Sequence, residues 1–510
     1  MDSKLKKEWE LFDRTDRELK HYSEIEALLH FDRATAIPKK GVPERAEQMS
    51  IISQRIHSIM TSKGFKSAVK KLYSSLRKDI DKFTFIEKRR IEKYYKELKK
   101  AEKLPAEFIA EYSRLVGLGE HYWEQAKEKN DYAIFKPYLK RIYEMKRKQA
   151  KLIDSKKHPY DVLLDDYEEG MTVKKLKNIF EELKAGLIET LNEIKKSKKY
   201  KMDNKLLEKI KYDEKAQWNL AEDVAKRILE DKGRWALAVS IHPFTTTIGC
   251  DDVRLTTAFR KNPMFCFRST MHEAGHALYE LDFGKNIEST ILQDAPSLGI
   301  HESQSRFWEN MIGKNSNFWK YYYSKFKKAY PQLEKISASE FYSAENNVKP
   351  GFIRIEADEL TYCLHIIIRF EIEVALLEGK LSVDKLPKAW DDKYEQYLGI
   401  KPKDYSHGVL QDTHWSGGSI GYFPTYALGT IYAAQIFNAM KKKIKDMDMV
   451  MASSDYTPIR DWLKKNIHEK GSLYTTEEII KQATGTGLDV KQYLDYLKGK
   501  YYPLYGVKEE

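Results

Sequence analysis

The sequence predicts a mainly α protein with one small β element, on three observations. Apolar residues recur at spacings of three and four over most of the chain, with Lys and Glu dense on the opposite faces. β-Branched and aromatic residues concentrate convincingly only between about 236 and 259. No uninterrupted apolar run approaches about 18 residues, so no membrane-spanning segment is expected.

Leu5 to Leu29 carries the helical spacing, and Ile37-Pro38-Lys39-Lys40-Gly41-Val42-Pro43 breaks it. A second helix is expected from Glu44 to about Thr61, followed by long charged helices over Phe85–Lys103, Ala106–Lys129 and Phe135–Ser155. Asp165-Asp166-Tyr167-Glu168-Glu169-Gly170-Met171-Thr172 reads as a loop that ends on a helix cap, Thr172. Its carboxylates suit the dipole of the next helix better than a cation. Ala236 to Phe259, around a Gly249-Cys250-Asp251-Asp252 turn, predicts a hairpin whose edge can pair with an extended peptide. Beyond it come a helix around residue 272, a loop over Leu292–Ile300 and a helix starting near His301. An apolar helix over Ile353–Leu377, a Gly- and aromatic-rich loop near 404–430 and terminal helices over Pro458–Tyr505 complete the chain. No repeat or linker divides it. One domain over 1–510 is expected, with a helical lobe to about 235, a site region to about 430 and terminal helices beyond.

The chain of 510 residues has 89 basic and 77 acidic side chains, a net charge of +12. That excess is spread through mixed-sign helices. A solvated basic surface is therefore expected, and no nucleic-acid partner. Three cysteines without a C-x-x-C pair offer neither a disulfide framework nor a thiolate zinc site. With a charged N-terminus lacking an apolar signal region, they point to the cytoplasm.

The chemistry centres on Met271-His272-Glu273-Ala274-Gly275-His276. One helical turn separates His272 from His276, so both imidazoles can reach one ion, at about 2.0–2.1 Å for zinc. Glu273 lies round the helix from them, placed to accept a proton from water rather than to bind the ion. A catalytic site of this kind usually has a third protein ligand. Asp282 is disfavoured, because Tyr279 stands where a helix-breaking Gly would be wanted. Glu280 lies too far along the axis from His272. A carboxylate on the next helix fits better, with Glu302 the first choice and Glu309 the second.

His272 and His276 together with His301-Glu302-Ser303-Gln304 resemble the carboxypeptidase Taq (M32) family of metallocarboxypeptidases. The same family's patterns are matched by His242-Pro243-Phe244, by Asp252-Val253-Arg254-Leu255-Thr256, by Ile353-Arg354-Ile355-Glu356-Ala357-Asp358 and by Gly408-Val409-Leu410-Gln411-Asp412-Thr413-His414-Trp415. Phe31-Asp32-Arg33 and Ile37-Pro38 depart from the W-D-x and M-P usual there. The resemblance covers essentially the whole chain. It implies a gluzincin-type helical fold with a deep groove and a β element near the active site. It also implies one divalent metal, zinc or cobalt, a homodimer, and removal of C-terminal residues from peptides with broad tolerance except at proline.

In that frame His272, His276 and Glu302 are the metal ligands and Glu273 the general base. His414 and Tyr422 are candidate donors to the reaction's oxyanion. Arg254 and Arg354 are candidates for the substrate carboxylate, which suits a planar guanidinium. Arg354 pairing instead with Asp358 is the competing structural role. His242 lines the site or steadies the hairpin, His365 reads as a core histidine, and Gln411 and Asp412 as groups orienting the loop. The rival function is an endo-acting oligopeptidase with the same metal core.

Overall fold

The computed structural model describes residues 3–200 and 205–508, the side chain of Lys4 excepted. Of the charged N-terminal run, Met1 and Asp2 lie outside it.

The N-terminal helices are α1 (Ser3–Thr35), α2 (Val42–Met60), α3 (Lys63–Lys78) and α4 (Phe85–Ala101). Thr84 and Glu87 close a reciprocal cap at the start of α4. These helices surround an apolar cluster of their own, with Phe12, Phe65, Val69, Leu72 and Ile91 at its centre. Helices α5 (Ala106–Glu128), α6 (Tyr132–Asp154), α7 (Pro159–Leu164), α8 (Val173–Lys196) and α9 (Glu214–Leu229) follow. The main core runs from Ala126 to Tyr505, and Ala150, Ile153 and Val162 form a small cluster of their own. The N-terminal cluster thus draws on α1–α4 and the main core on later elements. Ile291 packs against both clusters.

Thr172 caps α8 as expected, accepting the Lys175 N–H. The acidic loop before it divides by burial. Asp165, Asp166 and Glu169 pair with Lys96 and Lys100 of α4. Glu168 is buried and accepts the Gly299 N–H.

The β signal becomes a three-stranded sheet in the order β1 (Trp235–Val239), β3 (Asp252–Thr257), β2 (Thr245–Gly249). The β2–β3 hairpin is the expected one, with Thr245 opposite Leu255 and Thr246 opposite Arg254. β1 joins parallel to β3, a pairing between distant segments that no turn signal announces.

Helix α10 (Pro263–Leu281) lies at the centre, packed on α9, β3 and α11 (Leu298–Arg306). A π-helical turn, Phe307–Ile312, continues α11. Helices α12 (Ser316–Ala329) and α13 (Ala338–Glu345) come next. The apolar helix α14 spans Tyr362–Leu377 and does not begin at Ile353, because residues 354–356 form a separate 3-10 turn. After α15 (Leu386–Leu398), an irregular segment leads to α16 (Pro424–Lys441), which packs on α11. The chain ends in α17 (Met447–Met451), α18 (Thr457–Asn466), α19 (Thr476–Thr484) and α20 (Val490–Tyr505). No helix of the described residues is long and apolar enough to cross a membrane.

Candidate active site

Asn262 caps α10 through the Met264 N–H, and Pro263 opens its first turn. That start places His272 and His276 on one face, with ring centroids 4.9 Å apart. Ser297 caps α11 through the Ile300 N–H, so Glu302 sits just inside that helix.

Glycines bring the elements together. A Cβ on Gly275 would stand 2.5 Å from the Gln304 carbonyl oxygen and 2.7 Å from the Ser305 Cα. A Cβ on Gly429 of α16 would stand 2.7 Å from the Glu302 Cβ. Helix α11 is thus wedged between α10 and α16 at distances only glycine allows. Glu302 Oε2 consequently lies 3.6 Å from His272 Nε2 and 3.5 Å from His276 Nε2.

Those three atoms test whether an ion fits. Their spacings are longer than good hydrogen bonds. The two Glu302–imidazole spacings are close to the edge, about 3.4 Å, of a tetrahedron with metal–ligand distances near 2.1 Å, and all three atoms lie within 4.8 Å of one another. Among the described residues, this is the group of His, Cys, Asp and Glu able to hold a metal ion. The outer nitrogens are already engaged. His272 Nδ1 lies 2.9 Å from Glu309 Oε2, and His276 Nδ1 lies 2.6 Å from His301 Nδ1. His301 in turn pairs with Glu280, which accepts the Thr247 hydroxyl. This leaves each Nε2 aimed at Glu302. Glu309, the second choice for a ligand, instead stands behind His272 on the π-helical turn. Arg306 donates to Glu302 Oε1 at 2.7 Å and to Glu309 Oε2 at 3.2 Å.

The electrostatics agree with a cation's place. Burial works against the Glu302 charge, but Arg306 and the imidazoles outweigh it and hold the carboxyl well below its usual range. Burial and the neighbouring His301 lower His276 to about 3, leaving a neutral imidazole. Burial also opposes a charge on His272, yet Glu302 and Glu309 raise it to about 9. Arg306 therefore balances one of the two carboxylates and a protonated His272 the other, a positive charge that a metal ion would replace. Glu273 is buried, which raises its carboxyl, and its Oε2 accepts the Thr245 hydroxyl at 2.7 Å.

The segment carrying His414 and Tyr422 comes within range of the Glu302 charge. Buried Glu373 ties it down, accepting Trp415 Nε1 at 2.9 Å, Gly421 N at 3.1 Å and the Tyr160 hydroxyl at 2.8 Å. Gly421 has φ 95°, a conformation that favours glycine. The rings of His414 and Tyr422 lie 5.4 Å apart, and His414 Nε2 is 3.1 Å from the Tyr426 hydroxyl. Burial, reinforced by the Glu302 charge, raises Tyr422 to about 12. Burial, then Arg354, lowers His414 to about 3. Both side chains are therefore neutral near pH 7.

Arg354 is buried on its 3-10 turn and pairs with Asp412 at 2.9–3.0 Å. The competing partner, Asp358, instead accepts the N–H and hydroxyl of Thr361. With the helix starting later, the two residues no longer share a helical face. Arg369 shares Asp412, so two guanidinium groups meet one carboxylate. Arg354 also donates to the Tyr362 hydroxyl and lies over the Tyr426 ring at 4.9 Å. Gln411 accepts the Arg354 N–H and an Arg369 N–H, which ties the loop to this cluster.

Arg254 is not brought to the histidines. It shares the sheet face of Thr246, whereas the adjacent Thr245 on the other face reaches Glu273. Arg254 is held by Asp252 and stacks over Phe31 of α1. His242 is exposed before β2. His365 is buried with Nδ1 against the Tyr394 hydroxyl, as a core histidine. Asp282 faces His468, away from the site. Sequence reasoning missed Thr245, His301, Arg306, Tyr362 and Tyr426. Of these, His301 and Arg306 were signalled by their places beside Glu302 and one turn beyond it.

The family model described as carboxypeptidase Taq (M32) metallopeptidase matches residues 12–501. Carboxypeptidase 1 of Bacillus subtilis is 41% identical over 500 residues, covering 98% of each chain. Thermostable carboxypeptidase 1 of Thermus thermophilus is 37% identical over 501 residues, covering 96% of this chain and 97% of its own. The crystal structure of an M32 carboxypeptidase from Deinococcus radiodurans superposes with a TM-score of 0.93 at 34% identity, covering 98% of this chain and 100% of that one. A structure of Pyrococcus furiosus carboxypeptidase gives 0.93 at 34% identity, covering 98% and 99%.

Proposed function

The chain belongs to the carboxypeptidase Taq (M32) family of metallopeptidases, and from that premise we propose how its residues remove the C-terminal residue of a peptide. It is a metal-dependent carboxypeptidase. The observation that carries the residue assignment is Glu302 Oε2 at 3.5–3.6 Å from both imidazole Nε2 atoms, with Glu273 alongside.

His272, His276 and Glu302 are the residues that would hold the divalent ion. Two imidazoles and a carboxylate suit zinc, with cobalt an alternative. Bound there, such an ion would supply Lewis acidity toward the scissile carbonyl and toward water. Glu273 takes a proton from the attacking water and passes it to the departing amine nitrogen as the C–N bond breaks. The products are a shortened peptide with a new carboxylate and a free amino acid. Thr245 fixes the Glu273 carboxylate by its hydroxyl. Tyr422 and His414 donate to the oxyanion, and their neutrality near pH 7 suits that role. Arg354 binds the substrate's terminal carboxylate, supported by the surplus positive charge it shares with Arg369 over Asp412. Arg254, on the other sheet face, is left a structural role, and His242 an outlying one.

Broad side-chain tolerance with poor cleavage at proline, a homodimer and a cytoplasmic location complete the proposal. The first two follow the family resemblance. The last is supported by the unpaired state of Cys250, Cys266 and Cys363.

Metal content and peptide hydrolysis of the wild type beside Glu273→Gln test the mechanism. The variant is expected to keep its ion and lose about 10²–10⁴-fold in turnover, the range for a positioned general base. Unchanged turnover removes Glu273 from the role. Arg354→Ala is expected to lower kcat/KM by about 30-fold or more, the low end of losing a buried charge contact. C-terminally amidated peptides, already slow, should lose little further. An equal loss on amidated and free peptides would assign Arg354 to structure.

A further inference from the structure

Glu302 presents one oxygen to the histidines and the other to a guanidinium. Oε2 faces both Nε2 atoms, whereas Oε1 accepts Arg306 Nε at 2.7 Å. The same guanidinium reaches Glu309, the partner of His272 Nδ1. Its plane is fixed from below by Tyr362, whose ring centroid lies 4.1 Å from the guanidinium carbon. The Tyr362 hydroxyl is itself held by Arg354. Arg306 therefore has little freedom to release Oε1, and a lysine could not reproduce its two-carboxylate fork.

A carboxylate with both oxygens free can bind an ion through one or both. Two-oxygen binding by Glu302 would occupy the position that a catalytic metal site keeps open. We propose that Arg306 is a positioning residue that holds Glu302 to one-oxygen ligation and so keeps that position vacant for reactants. This goes beyond simple support of the site. A mere buttress predicts weaker metal binding without Arg306, whereas a restraint on Oε1 predicts binding kept or tightened while turnover falls.

The inference rests on His272, His276 and Glu302 as holders of the ion, so Glu302→Ala is run alongside. Apo protein is loaded with cobalt(II), its visible absorption recorded, and zinc affinity measured by competition with a chelator. For Arg306→Ala we expect zinc affinity equal to the wild type or higher. Cobalt absorption should weaken, as it does when coordination number rises, and turnover should fall by about 10–100-fold. Guanidinium ion at millimolar level should restore the wild-type spectrum by refilling the gap. If Arg306→Ala does not fold, Arg306→Lys carries the comparison, with a smaller spectral change in the same direction expected. An unchanged spectrum with affinity reduced in step with turnover overturns the proposal. Glu302→Ala that binds metal like the wild type overturns the underlying ligand assignment instead.

Discussion

The wedge of α10, α11 and α16 and the N-terminal group α1–α4 are both helical, yet they are built on different physics. In the wedge, backbones meet through Gly275 and Gly429, and the charged groups between them are buried and mutually paired. In the N-terminal group, α2 buries only Ile59, and Ile51 remains 64% exposed. Most ion pairs there, such as Lys71 with Glu8, sit at the surface, where each contributes about 0–1 kcal/mol, although Arg90 and Asp16 make one buried pair between α4 and α1. The contrast separates positions where one added carbon shifts the site from positions that tolerate change.

The strongest break of this comparison lies in the second core. Phe12 is fully buried there, and Phe12→Ala is expected to cost about 3–5 kcal/mol. Because that core is separate, metal content should stay at the wild-type level while proteolysis opens the N-terminal helices first. Metal loss in parallel would show that the two cores melt as one. Gly275→Ala is the complementary change. Its Cβ meets backbone rather than a yielding side chain, so we expect about 1–3 kcal/mol of overpacking and weaker zinc binding as Glu302 moves away. Ile51→Ala, as a control, should shift stability by no more than about 0.5 kcal/mol.

The smallest effect sharpens the contrast within one loop. Burial raises Glu168 to about 8 from an ordinary 4.5, opposed by the N–H of Gly299 and by Ser297. The unfolded chain therefore ionises this group first as pH rises, and the folded state holds the extra proton between about 4.5 and 8. Its contribution to stability falls across that window and levels off above it. Glu168→Gln should flatten this part of a thermal melting profile taken from pH 5 to 8. Glu169→Gln, at the surface with Lys96, should leave it unchanged. Identical profiles for wild type and Glu168→Gln would remove the buried carboxyl as the cause.

Legibility followed the range of the interactions. Thr172 was readable as a cap because its partner is Lys175. The β signal over 236–259 and the β2–β3 hairpin were readable, whereas the parallel pairing of β1 with β3 was not, since no tight turn joins those two strands. Arg354 could be singled out by type and surroundings. Its true partner, Asp412, is far along the chain, and the 3-10 turn that separates it from α14 leaves no local sign.

By itself the sequence determined that His272 and His276 share a face and that Glu273 stands beside them, because the pitch of a helix decides this within one turn. Which carboxylate meets those imidazoles was decided only by the tertiary structure. Glu302 and Glu309 are both glutamates following the motif helix. The glycine-permitted approach of α11 and the π-helical turn after it send one to the Nε2 side and the other behind His272. Close packing between segments distant in the chain sets that choice, and helical periodicity carries no information about it.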